Sequence, residues 1–196
     1  MVEAVGLRVT GLHWLLRAYP TSSITDRTRW DKTRDILVGL INLCAGLGGE
    51  VLIHGSPDQR VRPAGMNDAD LIALLQEFFA PIAKAAERAG VTYCIEPLAQ
   101  LETDTITTIA QGAALVDAIG SPAFRTMIDC KAAGLQEPSV AACIRKWVPT
   151  GTVAHIHAND TNRGAPGMGN DPFHDIVQAL VATNWQGQLG DEPFRT

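Results

Sequence analysis

Charge is scarce in this 196-residue chain: 19% of its residues are Asp, Glu, Lys or Arg, and the formal net charge is −5. That balance repels a phosphate backbone and excludes a general nucleic-acid binder. Aromatic residues make up only 6%, and the four cysteines, Cys44, Cys94, Cys130 and Cys143, form no CxxC pair. A thiolate-rich zinc site is therefore not indicated, and reduced thiols in a cytoplasmic protein are the expected state. Long apolar runs are missing. The run over residues 38–44 is interrupted by Gly39 and Asn42, so no membrane span is expected. Glu3 and Arg8 break the apolar start, which argues against a signal peptide. No GxGxxG follows the first strand pattern and no GxxxxGK[ST] occurs, which excludes the common nucleotide-phosphate loops. What is present is an ordinary globular composition, 46% hydrophobic with 18 Gly and 11 Pro, and a length that suits one domain over residues 1–196.

Hydrophobic patterning alternates between strand and helix. Strands are predicted over residues 5–12, 50–54, 91–96, 124–129, 152–158 and 188–192. Helices are predicted over residues 29–47, 68–89, 107–119, 138–147 and 172–183. Asn67 should cap the second helix and Gly90 should stop it. Leu71, Leu74, Leu75 and Phe78 form a helical stripe that belongs to the core. Six strands alternating with five helices build a parallel α/β sheet, either doubly wound or closed as a barrel.

The polar residues choose between these. Four successive strands end in an ionisable group: Glu96, Asp129, His157 and Glu192. In an open sheet such ends spread along a line, with about 4.8 Å between neighbours. In a barrel they curve around one centre, on the face where active sites of such barrels lie. Convergence favours a TIM-barrel type, (β/α)8, here with six strands. One carboxylate at a strand end is ordinarily a solvated turn residue, whereas four in succession point to a site. Three carboxylates and one imidazole suit a single divalent ion, with Mn²⁺ placed first and Mg²⁺, Co²⁺ or Zn²⁺ also compatible.

The ordered motifs Ile95-Glu96-Pro97-Leu98, Met127-Ile128-Asp129, His155-Ile156-His157-Ala158-Asn159-Asp160 with Asn162-Arg163, and Asp191-Glu192-Pro193-Phe194 carry a resemblance. Together with His54-Gly55-Ser56-Pro57 and Gln59-Arg60, the chain resembles the sugar phosphate isomerase/epimerase family of xylose isomerase-like barrels, which includes ketose 3-epimerases such as D-tagatose 3-epimerase. The resemblance implies that Glu96, Asp129, His157 and Glu192 ligate the metal, and that Glu96 and Glu192 act as the acid/base pair. It also implies that Arg163 binds substrate. One departure stands out: those epimerases carry a substrate-contacting histidine three residues after the aspartate, where this chain has Ala132. The implied reaction is removal of a proton beside a carbonyl through an enediolate, with a sugar or sugar phosphate as substrate.

Other residues near strand ends are candidates for substrate contact: His13, His54, Glu102 and Lys131. Trp14 is expected in the core, His155 as a hydrogen-bonded neighbour one layer below His157, and residues 164–169 as a loop that positions Arg163. A complete barrel has eight strands in typically about 250 residues. By that measure the chain is a partial barrel, and its open edges near residues 5–10 and 188–192 predict a homo-oligomer. The alternatives are a non-catalytic barrel fragment that folds as an oligomer, or a related dehydratase or hydroxypyruvate isomerase-like enzyme. An apurinic-site endonuclease, with a three-zinc, histidine-rich site, is disfavoured by five histidines and the negative charge.

Overall fold

The computed structural model describes residues 3–193. Six strands form one sheet in chain order: β1 (Gly11–His13), β2 (Val51–His54), β3 (Thr92–Ile95), β4 (Phe124–Asp129), β5 (Val153–Ala158) and β6 (Gln188–Asp191). They alternate with α1 (Trp30–Gly46), α2 (Asp68–Ala89), α3 (Ile109–Ile119), α4 (Cys130–Gln136), α5 (Val140–Trp147) and α6 (Phe173–Ala182). The registers β1–β2, β2–β3, β4–β5 and β5–β6 are all parallel. This is the TIM-barrel type of βα repeat, carried here by six strands.

The chain folds as two compact units: the residues up to Ile95 with Ala114–Phe124, and Glu96–Ala113 with the residues from Arg125 onward. In the first unit, the helical stripe read from the sequence is buried, with Leu71, Leu74, Leu75 and Phe78 all inside. Phe79 packs edge-on against Phe78, and Tyr93 stacks on Phe124 at 5.8 Å between ring centres. Asn67 Oδ1 accepts the Asp70 N–H at 2.9 Å, while Gly90 takes the left-handed conformation at φ +70°. An N-cap acceptor and a C-terminal glycine thus close both ends of α2. In the second unit, α5 and α6 bury Ile144, Val140, Ile176 and Ala179 against Ile128 and Ile156 of the strands.

Two elements differ from expectation. The strand predicted from residue 5 begins only at Gly11. Glu3–Val5 is instead a single 3₁₀ turn, followed by Gly6 at φ +73°. The alternation of Val5, Leu7 and Val9 is strand-like, but β2 offers partners only to Gly11–His13, and Val5 and Leu7 are exposed. A strand pattern without a ladder partner does not hold extended structure. The other difference is an added helix. α4 begins directly after β4, because the Asp129 side chain caps it by accepting the Ala132 N–H at 2.6 Å. Its seven residues are too few for a hydrophobic period to register.

Candidate metal centre

All four strand-end residues lie in the second unit. Each offers one ligand atom, and these atoms lie within 4.8 Å of one another. Strand register explains the convergence. β4 and β5 pair with a shift between Thr126 and Met127, so that Asp129 stands beside His157. Without that shift Asp129 would stand beside Ile156, on the opposite face. His157 in turn pairs with Gly190 of β6, and Glu192 lies two residues further along, on the same face. Glu96 follows β3 directly, where Pro97 has no N–H to extend the ladder.

His157 Nδ1 lies 3.0 Å from Glu192 Oε2, 3.4 Å from Glu96 Oε1 and 3.6 Å from Asp129 Oδ2. Glu96, Asp129 and His157 are buried, and Glu192 is partly exposed. Burial alone would depress the imidazole's pKa, but the carboxylates of Asp129, Glu192 and Glu96 outweigh it and hold it up to about 12. Burial and the neighbouring Asp129 and Glu192 charges raise the Glu96 carboxyl, against the lowering effect of His157. A pocket that drives its own imidazole to keep a proton is one that demands positive charge. Three carboxylates and one imidazole therefore fit a hard or borderline divalent cation on this structure's own geometry.

Neighbouring groups fix these side chains. Asn159 Nδ2 donates to Asp129 Oδ2 at 2.9 Å, while its Oδ1 accepts the Lys131 N–H at 2.9 Å. His155 is buried on the same face of β5 as His157, with its ring edge-on at 5.0 Å. Gly190 makes room for both rings: a Cβ there would sit 3.0 Å from His155 Nε2 and from His157 Cδ2.

Three of the expected substrate contacts come together in the same unit. Glu102 Oε2 accepts from Lys131 Nζ at 2.7 Å, and Glu102 Oε1 accepts from Arg163 at 3.1 Å. Arg163 stands at φ +70° in the loop expected to position it. Sequence reasoning assigned no role to Asp160, which organises that loop. Fully buried, it accepts the Gly167 N–H at 2.8 Å and the Asp171 N–H at 3.1 Å. The signal available was an Asp followed closely by Gly164, Gly167 and Gly169, the composition of a side-chain-braced loop.

The remaining candidates lie in the first unit. His54 is fully buried between Phe79 and Tyr93, with Nδ1 hydrogen-bonded to the Tyr93 hydroxyl. Burial, and secondarily the Arg60 charge, push its pKa well below the usual value. His13 ends β1 exposed. Trp14, expected in the core, is instead 38% exposed at φ +50°, with the Arg17 guanidinium over its ring. The turn that ends β1 swings the indole outward. Phe194 of the last motif lies outside the described residues.

The structure thus combines a parallel βα repeat of the TIM-barrel type with a carboxylate–imidazole cluster at successive strand ends. The whole chain, residues 1–196, matches the family described as xylose isomerase-like TIM barrel. The protein belongs to that family. D-psicose 3-epimerase of Agrobacterium fabrum is 34% identical over 113 residues, which is 58% of this chain and 38% of the relative. L-ribulose 3-epimerase of Mesorhizobium japonicum is 31% identical over 115 residues, 59% of this chain and 38% of the relative. The matched stretch thus spans well under half the length of these curated relatives. The crystal structure of D-allulose 3-epimerase from Methylomonas sp. in complex with D-allulose superposes with a TM-score of 0.86 at 20% identity, covering 100% of this chain and 67% of that one. At that identity the likeness is one of fold.

Proposed function

We propose that this chain carries the active site of a metal-dependent isomerase or epimerase that acts on a sugar or sugar phosphate by moving a proton beside its carbonyl. The observation that carries the reading is the convergence of Glu96, Asp129, His157 and Glu192 within 4.8 Å. The relatives, a D-psicose 3-epimerase and an L-ribulose 3-epimerase, point the same way. These four residues would hold one divalent ion, Mn²⁺ before Mg²⁺, Co²⁺ or Zn²⁺, which when bound stabilises negative charge developing beside a carbonyl.

The rest of the chemistry belongs to the chain. Glu96 and Glu192 directly follow separate strands, β3 and β6, each within 3.4 Å of His157 Nδ1. One carboxylate takes the proton from the carbon and the other returns it, so return to the opposite face of the same carbon gives epimerisation. Return to the adjacent carbon gives aldose–ketose isomerisation. Arg163 and Glu102 orient the substrate from the loops above. The four buried thiols are in keeping with a cytoplasmic protein, and no helix among the described residues is long and apolar enough to cross a membrane.

Glu96→Gln tests the role directly, because it removes the base and keeps the side-chain volume. Solvent deuterium should enter the carbon beside the carbonyl of a ketose in the unaltered chain and fall by at least about 100-fold in the variant. Exchange that persists undiminished would remove Glu96 from the reaction.

A further inference from the structure

Glu96 lies one residue beyond the end of β3, and Pro97 after it has no N–H to donate. From there the chain runs through the loop over residues 97–108, which a side chain of another element fastens. Gln136, the last residue of α4, donates from Nε2 to Leu98 O at 3.1 Å and to Thr107 O at 2.5 Å. Its Oε1 accepts the Gln100 N–H at 2.7 Å. An amide carries two N–H donors and a carbonyl acceptor, and Gln136 uses both kinds at once to join the outgoing limb of the loop to its returning limb. Beside it, Glu137 Oε1 accepts the N–H of Ile109, the first residue of α3, at 3.2 Å. Pro138 disfavours a helical residue before it, so α4 stops where these two side chains meet the loop.

The closed path is one that surrounding contacts impose. The Leu98 N–H donates to Ile106 O at 3.2 Å, and buried Ile106 stands at φ +56°. A β-branched residue rarely adopts that left-handed region, and it persists there only when its neighbours hold it. Packing does not hold the tip, where Leu101 is 91% exposed. The other end of α4 is tied to the candidate cluster, because the Asp129 carboxylate caps the helix through the Ala132 N–H. Seven residues at 1.5 Å each make a strut of about 10 Å. Its first turn is set by Asp129, and its last residue holds the loop that starts at Glu96. Both carboxylates are buried, and like charges in such surroundings repel, so their relative placement depends on a fixed frame.

We infer that Gln136 is a positioning residue for the candidate metal cluster: by clasping the loop after Glu96 to α4, it fixes the direction in which Glu96 presents its carboxylate beside Asp129. This rests on the reading of Glu96 as a metal ligand, and it is tested without any sugar substrate.

Mn²⁺ is the probe, titrated by equilibrium dialysis into the chelator-treated chain. Gln136→Met keeps the side-chain length and removes all three hydrogen bonds. It should weaken Mn²⁺ binding about tenfold, at the lower end of what losing the support of a metal ligand costs, and Gln136→Ala should match it. Leu135→Ala, a change at an exposed position of the same helix, should bind as the unaltered chain does. In a Glu96→Gln background, Gln136→Met should alter affinity by less than about twofold, because a residue that acts through Glu96 then has nothing to position. Amide hydrogen exchange over residues 97–108 should quicken in both Gln136 variants. Faster exchange with Mn²⁺ affinity unchanged would make the amide a brace of the loop alone and overturn the inference. A tenfold loss that persists in Glu96→Gln would also overturn it, since the effect would reach the ion by another route. An unaltered chain that binds no Mn²⁺ overturns the metal-site reading and this inference together. The expected Mn²⁺ results without deuterium exchange into a ketose would remove the isomerase or epimerase reading and leave the role of Gln136 standing.

Discussion

Carboxylates do not gather in a protein interior without a counter-charge, because each would lose hydration and repel the others. Glu96 and Asp129 are buried within reach of each other's charge, and the close ion-pair distances place the His157 imidazole between them. These residues were legible in the sequence because each ends an apolar strand pattern, and strand ends are fixed by where the alternation stops. The partnership of Glu102 with Lys131 and Arg163 was not legible. It joins positions brought together only by the turns of three separate loops. His54, found by the same strand-end signal, is packed in the first unit between Phe79 and Tyr93. The cysteines give a prediction at this scale. Burial, with nearby negative charge from Asp129 and Glu137 respectively, raises the Cys130 and Cys143 thiols to about 12. The folded state therefore holds protons that the unfolded chain releases near its ordinary thiol pKa of about 8.5. Stability must fall as pH rises from there towards 12. Urea midpoints should decline steadily above pH 9, and a thiol reagent at pH 8 should label no cysteine until the chain unfolds. Rapid labelling of Cys130 in the native state would contradict this.

Elements set the site through register more than through sequence spacing. The shift in the β4–β5 pairing moves Asp129 from beside Ile156 to beside His157, and nothing in the residue pattern of either strand announces it. The alternation located both strands; the bulge became visible only once they were paired. α4 escaped sequence reading for a related reason, since its start depends on the Asp129 cap rather than on a hydrophobic period. Gly190 is a point of close approach in the arrangement. Its missing side chain lets β6 pass within contact distance of both imidazoles, so Gly190→Ala must displace one ring or the strand. Displacing a ligand in this way resembles the loss of a supporting contact to a metal ligand, which costs about 10- to 100-fold in metal affinity. Mn²⁺ titration of Gly190→Ala should show a loss in that range with the circular dichroism spectrum unchanged. Affinity equal to that of the unaltered chain would show that His157 is not held by this approach.

At the scale of the whole molecule, the alternation of strand and helix predicted the fold type, and the structure supplied what alternation leaves unspecified: two compact units, with all four candidate ligands in one of them. The second unit also exposes some apolar side chains. Val177 and Val181, one helical turn apart on α6, and Leu189 on β6 are each at least half exposed. A homo-oligomer of the kind expected from the sequence would use such exposed apolar side chains. Sedimentation at micromolar concentration should show a dimer, and Val181→Glu should convert it to monomer. A monodisperse monomer before substitution would refute that reading.

The central claim is that the four strand ends form one divalent-metal site, and metal binding tests it without assuming a substrate. Equilibrium dialysis of the chelator-treated chain against Mn²⁺, followed by elemental analysis, should find one ion per chain. Asp129→Asn keeps an acceptor for the Ala132 N–H and so preserves the cap of α4 while removing the charge. In that variant occupancy at the same free Mn²⁺ should fall below about one tenth, in line with the loss of a ligating carboxylate. Equal occupancy in the two proteins, or no bound ion in the unaltered chain at millimolar Mn²⁺, would contradict the account.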